Sequence, residues 1–207
     1  MMVATTNAAV LFLLSTLLLP AYAATSNAWK ITVYYTAVES FHHHKKTKVR
    51  GCSEMGCRWK SNLGEYPADF VKAVKDEGTG RITSGEHAGK YLCWSRHDGY
   101  WLDSAPRDAS GKALTSWESA AADSSVMSFG TGFQVVDCGV DDMDGAEINP
   151  QTCAQIKNVR WKITDRFEAG LGGRNHLDLY IGEEDQEDFV NKSPKVISAK
   201  SASISFD

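Results

Sequence analysis

Two aspartates flank a glycine-rich loop in the C-terminal half of the chain and are its best candidates for acid–base chemistry. Asp165 follows one apolar segment, and Asp178 lies inside the next, LDLYI, with His176 two residues before it. A carboxylate in such an apolar strand is costly to bury unless it is paired or used. Apolar surroundings raise the pKa of a carboxylic acid, which suits a general acid. The spacing fits equally well an Asp178 that points outward or caps a turn.

Strands must hold these groups in place. Residues 161–182 are predicted to form strand, glycine loop and strand, because apolar and polar residues alternate on both sides of the loop. Residues 29–37 (WKITVYYTA) predict another strand. Residues 66–77 predict a helix that begins near Pro67 and ends at Gly78. With six or seven short strands and one helix, the chain is predicted to be an all-β protein that closes into a small barrel.

Composition and charge limit the classes of protein that the chain can belong to. The 207 residues suffice for one domain with a sizeable core. A net charge of −4 argues against general nucleic-acid binding, which relies on a basic surface. We expect a monomer.

The two ends of the chain are predicted to lie outside the folded domain. Residues 1–23 contain no charged side chain and end in Ala21-Tyr22-Ala23, which is typical of a secretory signal peptide. An uncleaved anchor is the alternative, and after cleavage we expect no contact with a membrane. Residues 185–207 are acidic and then rich in Ser, Ala and Lys, which predicts a disordered tail after a domain at 24–184.

Five cysteines are expected in the secreted chain, where an oxidising compartment favours two disulfides and one free thiol. Cys52 with Cys57, and Cys138 with Cys153, are candidate pairs, but the connectivity does not follow from the sequence. A zinc site is the alternative, and no CxxC pair or HExxH motif supports it. We therefore expect no metal and no cofactor.

Several motifs together resemble the three-aspartate domain, a double-psi β-barrel of bacterial cell-wall lytic enzymes that include the membrane-bound lytic transglycosylase A family. The resemblance covers roughly residues 115–184. Asp123, Asp165 and Asp178 match the three aspartates, Gly130-Thr131 matches a Gly-Thr pair, and His176 matches the histidine before the last aspartate. The resemblance implies a six-stranded double-psi β-barrel with one short helix and loop insertions, stabilised by disulfides.

The resemblance also implies a function: a secreted glycosidase acting on β-1,4 bonds of peptidoglycan, as a muramidase or a lytic transglycosylase. The aspartate matching Asp178 would act alone as general acid, because the substrate's own 6-hydroxyl attacks C1. Hydrolysis would need a second carboxylate. Asp165 is the nearest candidate and is assigned with Asp178 to catalysis, while Asp123 and Glu39 could also serve. The alternatives are an expansin-like protein that binds polysaccharide without cutting it, and a barrel-type β-1,4-glucanase.

Polar and aromatic residues elsewhere are candidates for binding the sugar chain, because aromatic faces suit sugar rings as well as cores. The residues assigned to substrate binding are Asp123, Glu39, Tyr35, His176 and Trp101. Trp94, Tyr100 and Trp117 are further candidates for stacking against a sugar.

Overall fold

The structure is a computed structural model that describes residue 1 and residues 25–58, 60–167 and 172–206. The predicted signal peptide, apart from Met1, and residues 168–171 of the glycine loop lie outside this part of the chain. Among the helices described, none combines the length and the apolar character that crossing a membrane requires.

Strands dominate the described chain. The strands are β1 (Thr25–Val38), β2 (Lys46–Cys52), β3 (Ser61–Pro67), β4 (Thr79–Arg81), β5 (Tyr91–Ser95), β6 (Gly99–Asp103), β7 (Ser119–Ala122), β8 (Gly132–Asp137), β9 (Val140–Asp141), β10 (Trp161–Arg166), β11 (His176–Glu183) and β12 (Ser198–Phe206). The helices are α1 (Ala68–Glu77), α2 (Pro150–Lys157) and α3 (Phe189–Lys192), and a short 3-10 turn (Glu39–Phe41) follows β1.

Six strands close into a barrel in the order β1-β11-β7-β10-β8-β12, and β12 pairs back onto β1. The pairs β1–β11 and β7–β10 are parallel, and the other barrel pairs are antiparallel. Large apolar side chains that alternate along the strands fill the interior, among them Ile31, Phe133, Trp161, Ile163 and Leu177. The predicted all-β, six-stranded double-psi barrel is confirmed.

The last residues of β1 extend beyond the barrel and begin a second sheet. They pair with β4, and β5, β6, β2 and β3 follow in that order; we call these five strands the side sheet. Helix α1 packs against it through Phe70 and Val74, which are fully buried. Gly78 ends α1 in the left-handed conformation, at a φ of 89°, as its position predicted. The helix begins at Ala68 rather than at residue 66 because Tyr66 and Pro67 pair with β2.

The prediction of a disordered tail at 185–207 is wrong. This segment contains α3 and β12, and β12 completes the barrel between β1 and β8. Ala199, Ala202 and Ile204 are fully buried there. A Ser- and Ala-rich composition suggested disorder, but small side chains fit where β12 packs on the barrel interior. The folded domain therefore does not end at residue 184.

The predicted number of helices also needs correction. Pro150–Lys157 form α2, whose first amides are capped by the Asn149 side chain. The described chain thus has three helices where one was predicted.

Both candidate disulfides are present. Cys52 is bonded to Cys57, and Cys138 is bonded to Cys153. Cys93 is free and buried beside the first disulfide in a small cluster with Trp101. The second bridge ties α2 to the end of β8.

Candidate active site

A cleft opens where β1 leaves the barrel and enters the side sheet. It encloses a cavity of about 360 Å³. One wall comes from the barrel, through β1, β7, the end of β10 and β11, and the other comes from the end of α1 and from β5. Asp165 and Asp178, the two residues assigned to catalysis from the sequence, both line this cavity.

Asp178 is held by the strand that lies next to it. The parallel register of β1 and β11 sets Thr32 opposite Asp178. The Thr32 hydroxyl donates a hydrogen bond of 2.7 Å to Oδ1 of Asp178, and it lies 3.0 Å from Nε2 of His176. A hydroxyl has one proton to donate, so while Thr32 donates to Asp178 it can only accept from His176, in the tautomer that carries the proton on Nε2. The three residues form a hydrogen-bonded chain that orients the Asp178 carboxyl group.

Burial makes Asp178 a weaker acid than an ordinary aspartate. It raises the pKa of Asp178 to about 6, although the Thr32 hydrogen bond lowers it, and the negative charge of Asp165 raises it further. Burial also lowers the pKa of His176, which keeps the imidazole neutral at neutral pH. A carboxyl group with a pKa near 6 holds its proton at mildly acidic pH, as a general acid must.

Both carboxyl oxygens of Asp165 accept hydrogen bonds from protein groups. Oδ1 accepts hydrogen bonds of 2.9 Å from the backbone amides of Ala109 and Arg166, and Oδ2 accepts one of 3.3 Å from the Tyr34 hydroxyl. Burial raises the pKa of Asp165, and these three donors oppose that change. Asp165 therefore ties the loop after β6 to the barrel and adds negative charge beside Asp178.

A third carboxyl group, from Glu77, lines the same cavity. Glu77 is the last residue of α1, and its Oε2 accepts a hydrogen bond of 3.2 Å from the backbone amide of Tyr35. Burial, followed by the charge of Asp178, raises the pKa of Glu77 to about 8. Its place at the negative end of the helix dipole disfavours the charged form in the same direction.

The cleft continues into a second cavity of about 240 Å³. Tyr34, Glu77, Trp94 and Asp165 line both cavities, and Trp101 lines only the second. Trp94 is partly exposed at the junction, which fits its predicted role as a stacking platform for a sugar ring.

Four residues assigned to the site from the sequence do not line the cleft, and one of them, His176, contacts it only through Thr32. The Tyr35 side chain is buried in the core of the side sheet, against Phe189. Glu39 is buried and accepts hydrogen bonds from the amides of Thr83 and Ser84, so it anchors a loop. Asp123 accepts hydrogen bonds from its near neighbour Ser125 and caps a turn.

The remaining aromatic candidates have structural contacts of their own. The Tyr100 hydroxyl donates a hydrogen bond of 3.3 Å to the carbonyl of Val71 on α1, and Trp117 packs on Trp161. Neither lines the two cavities of the cleft. As for metal ions, the described residues include no group of three or more His, Cys, Asp or Glu side chains placed to hold one.

The sequence reasoning missed Thr32, Tyr34 and Glu77. Thr32 and Tyr34 share one face of the strand predicted over residues 29–37, and its alternation could have pointed to them. The register that pairs Thr32 with Asp178 could not be read from it. For Glu77 the available signal was a glutamate in the last turn of a helix, where the helix dipole disfavours a negative charge.

Comparison with known proteins finds similarity in structure alone. No protein-family model matches the chain, and no curated protein matches it in sequence. Among solved structures, MltA of Escherichia coli with bound chitohexaose aligns over 87% of this chain and 71% of its own, at 12% identity and a TM-score of 0.58.

Two more solved structures give the same result. A structure of Escherichia coli MltA described as a lytic transglycosylase fold covers 87% of this chain and 72% of its own, at 13% identity and a TM-score of 0.51. A membrane-bound lytic murein transglycosylase from Agrobacterium tumefaciens covers 87% of this chain and 76% of its own, at 11% identity and a TM-score of 0.52. The chain therefore shares its fold with lytic transglycosylases of the MltA type.

Proposed function

We propose that this protein cleaves the β-1,4 glycosidic bonds of peptidoglycan outside the cell, with Asp178 as the general acid. The observation that carries the proposal is the environment of Asp178: a cleft of saccharide dimensions, a hydrogen-bonded chain that orients the carboxyl group, and a pKa raised to about 6 by burial. Asp178 matches the last aspartate of the three-aspartate motif, and the shared fold supports the same reaction class.

In the reaction that one carboxyl group can perform, Asp178 donates its proton to the glycosidic oxygen while the bond from that oxygen to C1 breaks. The 6-hydroxyl of muramic acid then forms a bond to C1 and returns its proton to the Asp178 carboxylate. The products are a 1,6-anhydro sugar and a new 4-hydroxyl end, and no water is consumed. His176 and Thr32 keep the Asp178 carboxyl group in place through both proton transfers.

Two cations in the cleft walls, among carboxylates that outnumber them, offer partners to a substrate that carries negative charge. Lys75 and Arg166 line the cavity on opposite sides, from α1 and from the end of β10. Muramic acid bears a lactyl carboxylate, or a peptide in its place, whereas cellulose is neutral. Nζ of Lys75 lies over the Trp94 ring, 5.5 Å from its centroid, so these two residues place a positive charge and an apolar surface together. These features favour peptidoglycan over a neutral β-1,4-glucan.

The test uses purified peptidoglycan and mass analysis of the soluble products. We expect Asp178→Asn to lower the cleavage rate by about 100-fold or more, since proton transfer by a placed acid contributes roughly that much. Glu65→Gln is the matched control, because Glu65 lies exposed on β3 with only a 3.8 Å pair to Lys48. Equal rates for wild type and Asp178→Asn would remove Asp178 from the mechanism.

The same assay separates the alternatives. Release of cello-oligosaccharides from cellulose, with peptidoglycan left intact, would replace the proposal with a β-1,4-glucanase. Co-sedimentation with either polymer without any product would replace it with an expansin-like binding protein.

A further inference from the structure

Cleavage by water, rather than by the sugar's own hydroxyl, needs a second carboxyl group to take a proton from that water. The three carboxylates that the sequence offered for this role are engaged elsewhere. Both oxygens of Asp165 accept hydrogen bonds from protein groups, and Glu39 and Asp123 do not line the cleft. The cavity nevertheless contains another carboxyl group with capacity to act, that of Glu77.

Glu77 is partly buried and has one oxygen available to a ligand. Its Oε2 accepts the hydrogen bond from the Tyr35 amide, while Oε1 has no hydrogen-bond partner among the residues that the structure describes. Glu77 lines both cavities of the cleft, so it stands where they meet. A carboxyl group fixed through one oxygen and open at the other is suited to bind a water molecule.

Both carboxyl groups are hydrogen-bonded to β1, at different points along the strand. Thr32 binds Asp178 through its hydroxyl, and Tyr35 binds Glu77 through its amide. The two anchor points are three residues apart, which is on the order of 10 Å along an extended strand. Inverting glycosidases separate their carboxyl groups by about 6.5–9.5 Å, and retaining ones by about 5–5.5 Å. An anchor spacing of this order is nearer to the wider separation, which is the one that leaves room for a water molecule between the carboxyl groups.

We infer that Glu77 is the second catalytic carboxyl group of the cleft and activates water for hydrolysis with inversion, an inference that rests on the proposed glycosidase function. In this reaction Asp178 gives its proton to the departing glycosidic oxygen. The water oxygen forms a bond to C1 from the opposite face, and its proton goes to the Glu77 carboxylate. The products are a reducing end with inverted configuration and a 4-hydroxyl end. Exchange of one proton between the carboxyl groups, through solvent, resets the pair.

The charged groups around Glu77 keep one proton on the pair across neutral pH. Burial and nearby negative charge raise the pKa of Glu77 to about 8 and that of Asp178 to about 6. Coupled groups titrate as a pair, so between these two values the pair holds a single proton. In that state the proton lies mainly on Glu77, the weaker acid, and hydrolysis uses the form in which the proton has moved to Asp178 and Glu77 is ionised. The negative groups that act on Glu77 are Asp178 and Glu184 on or next to β11 and Asp76 on α1, and Lys75 and Arg166 are the cations that line the cavity.

The test follows the origin of the new oxygen. Peptidoglycan is digested in water enriched in ¹⁸O, and the products are analysed by mass spectrometry. Hydrolysis places ¹⁸O at the reducing end, while the single-carboxyl route gives an anhydro end without ¹⁸O. We expect Glu77→Gln to lower the labelled product by about 100-fold and leave the anhydro product. Asp178→Asn should abolish both products. Glu65→Gln removes a carboxylate that does not line the cleft, and its product ratio should match that of the wild type.

The pH profile gives a readout that damage to the fold would not imitate. Wild-type hydrolysis should follow a bell with limbs near 6 and 8, and Glu77→Gln should retain only an alkaline limb near 6. Glu77→Asp, which keeps a carboxyl group, should restore part of the labelled product. An unchanged labelled product in Glu77→Gln would overturn the inference. A wild type that forms only anhydro ends would also overturn it but leave the proposed function standing, whereas a wild type without cleavage would remove both.

Discussion

Replacing Thr32 by valine removes the hydroxyl that donates to Asp178 and keeps the shape of the side chain. The hydrogen bond is short, 2.7 Å, and it lowers the pKa of Asp178 against the larger effect of burial. A hydrogen bond to an ionised group contributes about 1.5 kcal/mol or more, and one pKa unit corresponds to about 1.4 kcal/mol. The pKa of Asp178 should therefore rise by about one unit in Thr32→Val, from about 6 to about 7.

The shift can be measured in two ways. The chemical shift of the Asp178 side-chain carbonyl carbon, followed by NMR against pH, reports the titration directly. The limb of the pH–rate profile near 6 should move upward by the same amount. Thr32→Ser, which retains a hydroxyl, is the control and should titrate close to wild type. An Asp178 pKa that stays constant or falls in Thr32→Val would refute the idea that this hydrogen bond stabilises the carboxylate.

Two further predictions concern stability. Because the folded state raises the pKa of Asp178, the ionised group opposes folding; this penalty is absent well below pH 4 and complete above about pH 6. Asp178→Asn should thus raise the free energy of unfolding at pH 7 by up to about 3 kcal/mol, which a higher Tm would report, and should give no gain at pH 3. A lower Tm at pH 7 would contradict this. Deleting residues 198–207 removes the strand that closes the barrel, so cooperative thermal unfolding by circular dichroism should be lost; a truncated chain that still unfolds cooperatively would show that β12 is dispensable.

The gain in stability expected for Asp178→Asn follows from the free energy that it costs to bury the Asp178 carboxylate. A carboxylate in a strand between fully buried Leu177 and Leu179 lacks most of the water that would stabilise its charge. The Thr32 hydroxyl compensates only in part. The same loss of water is what keeps the acid protonated at a higher pH. A residue that destabilises the fold and can give up a proton in a cleft is a reasonable indicator of function.

The sequence alone determined several strands and singled out Asp178 as a candidate acid. Alternating apolar residues predicted β1, β10 and β11, because a strand buried on one face repeats with period two. An aspartate inside LDLYI was recognisable as unusual for the same reason. The motif of three aspartates led to the barrel, and the cysteine count led to two disulfides and one thiol. Each of these signals can be read from residue types and their order, without knowing which segments pair in space.

Tertiary structure alone decided which groups lie together. Asp123 belongs to the same motif as Asp165 and Asp178, yet it caps a turn outside the cleft. Glu77 belongs to no motif, yet it lines the cavity with Asp178, because β1 runs from the barrel into the side sheet and brings α1 with it. Strand register and the pairing of distant segments depend on contacts between residues far apart in the chain. For the same reason the Ser- and Ala-rich end could not be read as the sixth barrel strand: its order comes from β1 and β8, not from its own composition.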